Sequence, residues 1–551
     1  MKYMTSFIKR FESSVRENWQ QSALNNYRHD SMSYAELAAE IETLHLLWQD
    51  AGLKAGDKIA LNAHSTANWI TTFMATVSGG YVAVQLFNGY TPTDTQLLVD
   101  HSDSKLLFTE RSIFERMDFE SMPQLLAVID MNTMELLAAR GNFAMLYAAR
   151  KERFERQHPN GLQPEAIHYS DASLDTVCGI NYTSGSTGNP KGVMLTVGNF
   201  SANVEVLLEL FPFNRTEGYL SMLPLAHIFG LTVDGITPLC AGMHLTILAT
   251  LPIPATLKSA LQEVRPRMFF AVPLVLTKMI DYTIGEFVHS KTGQERLSDY
   301  KNHPDFCEAL RTIFLSAFGG RCEMILTGGA AIPAHIEELL ATKLHVPFMT
   351  GYGMTECAPV ISIARPDQPY KLKSCGKLLE CYHYRIDSPD PERLAGELMV
   401  KGPCVFVGYY KNEAATAAAF TQDGFFRTGD LGMCDCENTL FLVGRCKSML
   451  LSENGQNIFP EEIEVVLNAM PYVAESIIVQ RQSHLVALIV PNQELIVSRQ
   501  IDAASLAMIM RENLDELNRR IPAYSAVIDY ELLKEPFAKT PKGSIKRFMY
   551  A

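Results

Sequence analysis

Short apolar runs alternate with helical patterns along most of this chain, and this alternation limits its possible folds more than any other feature. Residues 58–61 (KIAL) and 81–86 (YVAVQL) are typical of buried strands, and residues 68–77 between them have a helical pattern. Two later apolar runs, at 268–272 and 323–326, are also typical of strands, and each is followed by a helical pattern. Strands that alternate with helices indicate βαβ units and parallel sheet. We therefore predict an α/β protein with a multi-layer N-terminal domain and parallel-rich sheets.

The last part of the chain has a different pattern. Pro460 begins an amphipathic helical run, and two β-rich runs follow at 474–480 and 485–490. This order is typical of a compact α+β domain. A chain of 551 residues also exceeds what one core usually supports. We therefore predict a large domain of residues 1–443 and a small α+β domain of residues 444–551.

Charge and cysteine content limit the partners and the compartment. Lys and Arg number 48 against 61 Asp and Glu, which gives a formal net charge of −13. A surface of this sign repels the phosphates of DNA and RNA, so we expect no nucleic-acid partner. The 11 cysteines begin only at Cys178 and show no C-x-x-C spacing. Scattered thiols of this kind favour a reducing compartment, and we expect a cytoplasmic protein.

No segment is typical of an export signal or of a membrane span. Residues 1–13 carry charges where a signal peptide needs an apolar run. Residues 235–257 are uncharged, but prolines interrupt them, and we interpret them as buried helix and strand. An apolar helical stripe near the N-terminus consists of Phe7, Ile8, Phe11 and Val15. The stripe leaves two alternatives open, contact with a membrane surface and docking onto the body of the protein.

Residues 182–192 (YTSGSTGNPKG) are rich in glycine and in hydroxyl side chains. Glycine lets backbone amides approach an anion closely, hydroxyls add donors, and a lysine adds charge. The segment lies between two β-rich runs, and it is not a Walker loop, because Gly192 stands where Ser or Thr should follow the lysine. We interpret the segment as a polyphosphate cradle of the strand–loop–strand kind. The alternative is a solvated turn.

The same segment resembles the signature of the adenylate-forming superfamily, which includes acyl-CoA synthetases, luciferases and the adenylation domains of peptide synthetases. The resemblance extends over nearly the whole chain. The matching segments are 223–227 (LPLAH), 328–330 (GGA), 351–356 (GYGMTE), 396–398 (GEL), 427–430 (RTGD) and 444–447 (GRCK). Residues 318–321 (FGGR) and 455–464 (GQNIFPEEIE) are similar to the long-chain fatty acyl-CoA synthetase branch.

The resemblance implies a reaction in two steps. A carboxylate attacks the α-phosphorus of ATP to give acyl-AMP and pyrophosphate, and the thiol of coenzyme A then displaces AMP. The implied cofactors are ATP and Mg²⁺, with coenzyme A as a substrate, and the implied partners are small molecules bound by a monomer or homodimer. For the fold, the resemblance implies a small β-barrel-like part and a mobile C-terminal domain.

The resemblance also assigns roles to individual residues. Glu356, a hard oxygen ligand, would hold Mg²⁺ together with Thr183. Asp430 would accept both ribose hydroxyls, and Tyr352 would offer a flat face to adenine. The expected nucleotide contacts are Thr183, Ser184, Gly185, Ser186, Thr187, Gly188, Lys191, Gly328, Gly329, Ala330, Thr350, Gly351, Tyr352, Gly353, Asp430 and Arg445. The expected catalytic residues are His227, Thr355, Glu356, Lys447 and Lys546.

Several of these assignments have a structural alternative. Glu356 could instead cap a helix, and Tyr352 could be an ordinary core residue. Arg445 is expected at the ribose or a phosphate, but it could form a surface ion pair. His227 is expected near the substrate carboxylate, but it could be a core histidine.

Lys447 matches the hinge of the family, about which the small domain turns between the two steps. One position departs from the family, because Ser544 replaces the lysine that usually neutralises the α-phosphate and the carboxylate during adenylation. In an extended segment, residues 542, 544 and 546 project from one side. We hypothesise that Lys546 substitutes for the missing lysine, and Lys542 is the alternative.

Three other functions share the main motifs. A fatty acyl-AMP ligase would pass the adenylate to a carrier protein, and an aryl-acid CoA ligase would differ only in the shape of its acid pocket. The third is a degenerate ATP-binding sensor, in which Ser544 in place of the usual lysine would mean that the adenylation chemistry has been lost. The retention of Glu356, Asp430 and Arg445 argues against a sensor.

Overall fold

The computed structural model of the chain describes residues 4–184, 190–215, 217–451, 457–481, 484–540 and 545–550. Its α-helices, numbered in chain order, are α1 Phe7–Glu17, α2 Tyr34–Asp50, α3 Ala67–Ser78, α4 Pro92–His101, α5 Arg111–Phe114, α6 Phe143–Gln157, α7 Val197–Leu210, α8 Thr237–Cys240, α9 Pro254–Val264, α10 Pro273–Val288, α11 Lys291–Ser298, α12 Pro304–Ser316, α13 Ala334–Glu338, α14 Glu413–Ala419, α15 Pro460–Asn468, α16 Gln493–Ser498 and α17 Ala503–Arg520. Two π-helical segments are Gly230–Ile236 and Leu339–Lys343.

The strands form several sheets. In chain order they are β1 Ser22–Asn26, β2 Met32–Ser33, β3 Lys58–Asn62, β4 Val82–Gln85, β5 Ser104–Thr109, β6 Ala127–Asp130, β7 Leu136–Ala139, β8 Val177–Ser184, β9 Pro190–Thr196, β10 Gly218–Ser221, β11 His244–Ile247, β12 Met268–Ala271, β13 Met324–Thr327, β14 Phe348–Gly353, β15 Val360–Ile363, β16 Lys377–Leu378, β17 His383–Asp387, β18 Gly396–Lys401, β19 Gly408–Tyr409, β20 Phe426–Cys434, β21 Leu440–Arg445, β22 Leu450–Leu451, β23 Asn457–Ile458, β24 Val473–Arg481, β25 His484–Pro491 and β26 Val527–Leu532.

The largest sheet has eight strands in the order β19-β9-β8-β4-β3-β5-β6-β7. Its middle strands, from β8 to β6, are parallel, and the predicted βαβ unit is confirmed as β3–α3–β4. Helix α3 begins where the Thr66 side chain accepts a hydrogen bond from the Trp69 amide, and it ends before Gly80, whose φ is +81°. The predicted α/β class with parallel-rich sheet is therefore confirmed.

A second sheet, in the order β12-β13-β14-β15-β16, begins with three parallel strands. The strands predicted at 268–272 and 323–326 are its β12 and β13. Because β13 and β14 are parallel neighbours, the segments that follow them meet at one edge of the sheet. That edge carries Gly328 and the end of the 351–356 motif.

The small β-rich part of the large domain is the antiparallel sheet β17-β18-β20-β21. In its last pair of strands, Asp430 lies directly opposite Arg445. A further four-stranded sheet, β10-β11-β1-β2, completes the architecture before residue 444.

Helix α1 docks onto the body of the protein. All four residues of its apolar stripe are fully buried: Phe7, Ile8, Phe11 and Val15. The Phe7 amide donates to the Ser201 hydroxyl of α7 at 2.9 Å. The docking alternative for this stripe is confirmed, because an apolar face that contacts α7 and α8 is covered by protein.

The interpretation of residues 235–257 is correct only in part. The end of the π-helical segment, helix α8 and strand β11 are largely buried, but Leu251 and Ile253 in the following loop are 78% and 55% exposed. Their apolar character is therefore not a sign of burial. Across the residues that the structure describes, no helix is long and apolar enough to cross a membrane.

The C-terminal part has its own core. Helices α15 and α17 pack on the sheet β24-β25-β26, and the helix predicted from Pro460 and the strands predicted at 474–480 and 485–490 are confirmed. Asp502 caps α17, since its carboxylate accepts from the Ser505 amide at 2.7 Å. Helix α16 was not predicted. The buried cluster of this part includes Ile463, Leu467, Ile478, Leu514 and Val527.

Candidate active site

The glycine-rich segment lies in a β-hairpin between β8 and β9. Thr183 pairs with Lys191, and the Ser184 backbone pairs with Pro190, which confirms the predicted strand–loop–strand arrangement. The hairpin places the Thr183 hydroxyl and the Lys191 ammonium on neighbouring strands beside the turn. The predicted contacts of Gly185, Ser186, Thr187 and Gly188 lie outside the described residues.

The three residues predicted around adenine and ribose meet directly. The Tyr352 hydroxyl donates to Asp430 Oδ2 at 2.6 Å, and Arg445 Nε lies 2.9 Å from Asp430 Oδ1. Asp430 is 5% exposed, whereas the Arg445 side chain is 65% exposed. The Asp430 carboxylate raises the pKa of Arg445, and burial together with Asp430 raises the pKa of Tyr352 well above its usual value. Tyr352 is thus a neutral donor and Arg445 a cation.

Residues 328–330 follow β13, the parallel neighbour of β14. A Cβ on Gly328 would lie 3.1 Å from the Gly351 carbonyl oxygen, so a side chain at this position would crowd β14. Gly329 has φ +81°, a conformation that favours glycine, and Ala330 is exposed. The structure therefore brings the beginning of the 328–330 turn next to Gly351.

Two other residues of the predicted set serve β14 itself. Thr350 is buried, and its hydroxyl donates to the Ser374 carbonyl at 2.7 Å. A Cβ on Gly353 would collide with the Pro359 carbonyl, so this position has room only for glycine. Both residues hold the strand in place beside Tyr352.

Glu356 lies in a short turn, Thr355–Cys357, directly after this strand, and Thr355 is buried. The Tyr409 hydroxyl donates to Glu356 Oε1 at 3.0 Å. The Lys191 ammonium lies over the Tyr409 ring, 4.9 Å from its centroid. The predicted cation ligand and the predicted phosphate lysine therefore contact one aromatic side chain, Glu356 at its hydroxyl and Lys191 at its ring face.

The oxygen donors of this region suit Mg²⁺. A carboxylate at Glu356 and a hydroxyl at Thr183 are hard ligands, and Mg²⁺ is usually held by one or two carboxylates with substrate phosphates and water. Among the described residues, no group of three or more His, Cys, Asp and Glu side chains could hold a metal ion by itself. A site completed by the triphosphate fits this donor set.

His227 lies in the loop after β10, and its ring orientation is fixed. Nδ1 accepts a hydrogen bond from the Phe229 amide at 3.2 Å, so the neutral ring carries its proton on Nε2. The ring packs edge-on against Phe87, with centroids 6.2 Å apart. Asn181 of β8 donates to the Ala226 carbonyl at 2.8 Å and thereby ties this loop to the strand that leads into the hairpin.

A buried carboxyl group holds the beginning of the same loop. Asp234, in the π-helical segment, is fully buried and accepts from the Tyr219 hydroxyl at 2.7 Å and from the amides of Met222 and Leu223 at 3.2 and 3.1 Å. Burial raises the pKa of Asp234 to about 7, although the three donors oppose this shift. Asp234 therefore fixes the backbone four to five residues before His227.

The hinge candidate and the tail lie at the start and the end of the small domain. Lys447 is exposed and follows Cys446, whose amide donates to the Gly429 carbonyl at 2.9 Å. Lys546 is half-buried, and its amide donates to the Ala538 carbonyl at 2.8 Å. Residues 541–544, which include Lys542 and Ser544, lie outside the described residues.

Sequence reasoning missed three residues that the structure places at the site. They are Asn181, Asp234 and Tyr409. Asn181 and Asp234 act through distant backbone groups, which no local pattern indicates. For Tyr409 the one signal was its place in the Gly408-Tyr409-Tyr410 run within an otherwise apolar loop.

Two family patterns match the chain. The pattern of the AMP-binding enzyme family matches residues 11–410, and that of the AMP-binding enzyme C-terminal domain matches residues 447–550. The chain belongs to the AMP-binding enzyme family. Within the adenylate-forming superfamily it lies in the acyl-CoA synthetase branch.

Similar proteins include both fatty-acid and aryl-acid ligases. The chain is 27% identical over 502 residues to long-chain-fatty-acid–CoA ligase 6 of Mus musculus, covering 85% of this chain and 70% of the relative. It is 27% identical over 532 residues to indoleacetate–CoA ligase of Aromatoleum aromaticum, covering 94% and 93%.

Solved structures share the fold. The anthranilate CoA ligase AuaEII in complex with anthranoyl-AMP has a TM-score of 0.79 at 18% identity, covering 99% of this chain and 96% of that one. ATP-bound MatB from Rhodopseudomonas palustris has a TM-score of 0.76 at 22% identity, covering 99% and 97%. These likenesses confirm the multi-sheet α/β fold.

Family membership establishes the class of the enzyme. The protein is an AMP-forming CoA ligase. Enzymes of this family use ATP with Mg²⁺ and take coenzyme A as a substrate, so its partners are small molecules.

Proposed function

We propose that the protein activates a long-chain fatty acid as its acyl-adenylate and transfers the acyl group to coenzyme A. One observation carries the adenylation step, the meeting of Tyr352, Asp430 and Arg445 beside the bare 328–330 turn. In this proposal Asp430 accepts the ribose hydroxyls, and Arg445 compensates the charge of that carboxylate at the edge of the site. Tyr352 and the turn enclose adenine.

The phosphates then lie toward the β8–β9 hairpin. Lys191, Thr183 and the hydroxyls and amides of residues 184–188 would hold them, and Glu356 with Thr183 would hold Mg²⁺. The ion, when bound, neutralises phosphate charge and assists departure of pyrophosphate. Thr355 is proposed to approach the phosphates from the turn that carries Glu356.

His227 is proposed to orient the acid. Its Nε2–H is a donor that can hold the substrate carboxylate for in-line attack on the α-phosphorus. Asn181 and Asp234 keep the loop rigid from two sides.

The domain boundary at 443/444 and the hinge at Lys447 remain proposals. Separate cores support them, since the main buried cluster ends at Leu440 and the buried cluster of the small domain begins at Ile458. A turn of the small domain about Lys447 would expose one face for adenylation and another for thioester formation, with water excluded from the adenylate.

Lys546 is proposed to supply the ammonium that Ser544 lacks. The tail that carries it is fixed to α15, because the next residue, Arg547, forms an ion pair with the buried Glu464. Lys546→Ala should slow acid-dependent pyrophosphate release, with Lys534→Ala as a control on an exposed lysine of the same region. If Lys546→Ala and Lys542→Ala both release pyrophosphate at the wild-type rate, the substitution hypothesis is wrong.

An apolar acid is favoured by the surface near the adenine turn. Val272 lies 3.9 Å from a Cβ placed on Gly329, and Leu274, two residues further on, is 63% exposed. Relatives named as long-chain fatty-acid ligases support the same acid class. The aryl-acid alternative is supported by the nearly complete coverage of indoleacetate–CoA ligase.

The deciding experiment is pyrophosphate release with fatty acids of increasing length and with aryl acids, each with and without coenzyme A. Thioester formation that rises with chain length supports the proposal, and preference for an aryl acid supports the alternative. Adenylate that accumulates and ignores coenzyme A would indicate transfer to a carrier protein. The 11 free cysteines support a cytoplasmic location for this activity.

A further inference from the structure

The side chain of Tyr409 contacts two residues of the proposed phosphate site. Its hydroxyl donates to Glu356 Oε1 at 3.0 Å, and its ring faces the Lys191 ammonium at 4.9 Å. A hydrogen bond to a carboxylate and a cation–π contact are both directional. One side chain therefore constrains an anionic and a cationic group at once.

Tyr409 is itself held firmly. It is 9% exposed, and its amide donates to the Thr416 hydroxyl at 2.8 Å. Strand β19 pairs with β9, where Tyr409 lies opposite Val193, and the next amide, that of Tyr410, donates to the Gly192 carbonyl at 2.8 Å. The position of the ring is thus set by the same hairpin that carries Lys191.

The segment before Tyr409 also holds Glu356. The Phe406 amide donates to the Glu356 carbonyl at 2.8 Å, and the Phe406 ring packs against the Tyr409 ring with centroids 4.8 Å apart. Residues 406–409 therefore contact Glu356 at both its backbone and its carboxylate.

The hydrogen bond between Tyr409 and Glu356 suits a cation site. The Tyr409 hydroxyl donates its proton to Glu356 Oε1, so that oxygen is already engaged. With Oε1 engaged by that donor, Oε2 is the oxygen that can turn to a cation.

We propose that Tyr409 is a positioning residue that holds the Lys191 ammonium at its ring face and orients the Glu356 carboxylate through its hydroxyl, so that the site prefers the magnesium complex of ATP over ATP alone. This inference rests on the function proposed above. Tyr409 takes no part in the chemistry; it acts through the two groups that it contacts.

The test is equilibrium binding of ATP with Mg²⁺ and with the metal chelated, measured by calorimetry on the full chain. Tyr409→Phe removes the hydroxyl and keeps the ring over Lys191. We expect affinity with Mg²⁺ to fall about tenfold, as for the loss of one hydrogen bond to a charged group, and affinity without Mg²⁺ to stay unchanged. Tyr409→Leu removes the ring as well, and we expect it to weaken binding of both forms of ATP.

Tyr410→Phe is the matched control. It removes a hydroxyl from the adjacent residue, one that donates to Asp103 at 2.7 Å rather than to Glu356. We expect its Mg²⁺ dependence to equal that of the wild type. In a Glu356→Gln background, Tyr409→Phe should produce no further loss of Mg²⁺-dependent affinity, because its partner is already neutral.

The outcomes separate the two proposals. The wild type is expected to bind ATP more tightly with Mg²⁺ than without it. If Tyr409→Phe shows the same gain in affinity from Mg²⁺ and has an unchanged melting temperature, the positioning role is wrong and the proposed function stands. If the wild type gains nothing from Mg²⁺ or fails to bind ATP, both proposals fail.

Discussion

The buried carboxyl of Asp234 should make the stability of the large domain depend on pH. Burial raises its pKa from 3.8 to about 7 in the folded protein. Between these values the unfolded chain has lost the proton and the folded chain still binds it, so stability falls as pH rises. The contribution is complete below about pH 4 and is lost by about pH 7, at about 1.4 kcal/mol per pH unit and about 4 kcal/mol in all.

Asp234→Asn isolates this contribution. An amide keeps an oxygen for the Met222 and Leu223 amides and turns its nitrogen to the Tyr219 oxygen, so the hydrogen bonds survive without a titrating group. We expect the free energy of unfolding of the wild type, relative to Asp234→Asn, to fall by about 2 kcal/mol between about pH 5 and about pH 7. Asp234→Ala should be destabilising at every pH, by about 1–3 kcal/mol for each donor left without an acceptor.

Urea unfolding followed by tryptophan fluorescence measures this difference in the correct domain. The protein has 3 tryptophans, Trp19, Trp48 and Trp69, all in the large domain and far from its boundary. Subtracting the variant from the wild type removes the titration of other groups. Parallel pH profiles for the wild type and Asp234→Asn would show that the carboxyl does not titrate in this window, and the argument from burial would be refuted.

Four further variants test other parts of the structure. Asp430→Ala should raise the dissociation constant for ATP about tenfold to a hundredfold by calorimetry, because hydrogen bonds to a charged group are lost; a wild-type value would exclude Asp430 as the ribose ligand. Phe7→Ala should lower the free energy of unfolding by about 3–5 kcal/mol in urea, whereas Phe548→Ala, at a ring 55% exposed, should change it by less than about 0.5 kcal/mol. Lys447→Pro should slow thioester formation more than pyrophosphate release, because a proline restricts the hinge; equal effects on both steps would argue against the hinge.

The parts of the structure that local pattern dictates could be predicted. Strand β3, helix α3 and strand β4 follow from apolar runs and a helical pattern between them, and the β8–β9 hairpin follows from glycines between two β-rich runs. These features depend on residues close in sequence, where period and turn chemistry decide the conformation.

The parts that depend on distant contacts could not be predicted. Tyr409 reaches Glu356 because a two-residue strand pairs with β9, and a pair so short has no periodicity. The stripe of α1 left two alternatives open, since an apolar face does not indicate what covers it. The prediction that residues 235–257 are buried fails at Leu251 and Ile253, because apolar residues in this loop remain exposed.

The late arrival of strand β19 has a consequence for synthesis of the protein. This strand covers the edge of the eight-stranded sheet beside β9, yet it emerges from the ribosome roughly 200 residues after it, a separation that makes the contact slow to form. Until then the nascent chain exposes an open β edge, which is a template for aggregation. We expect truncated chains that end before Gly408 to require a chaperone to stay in solution.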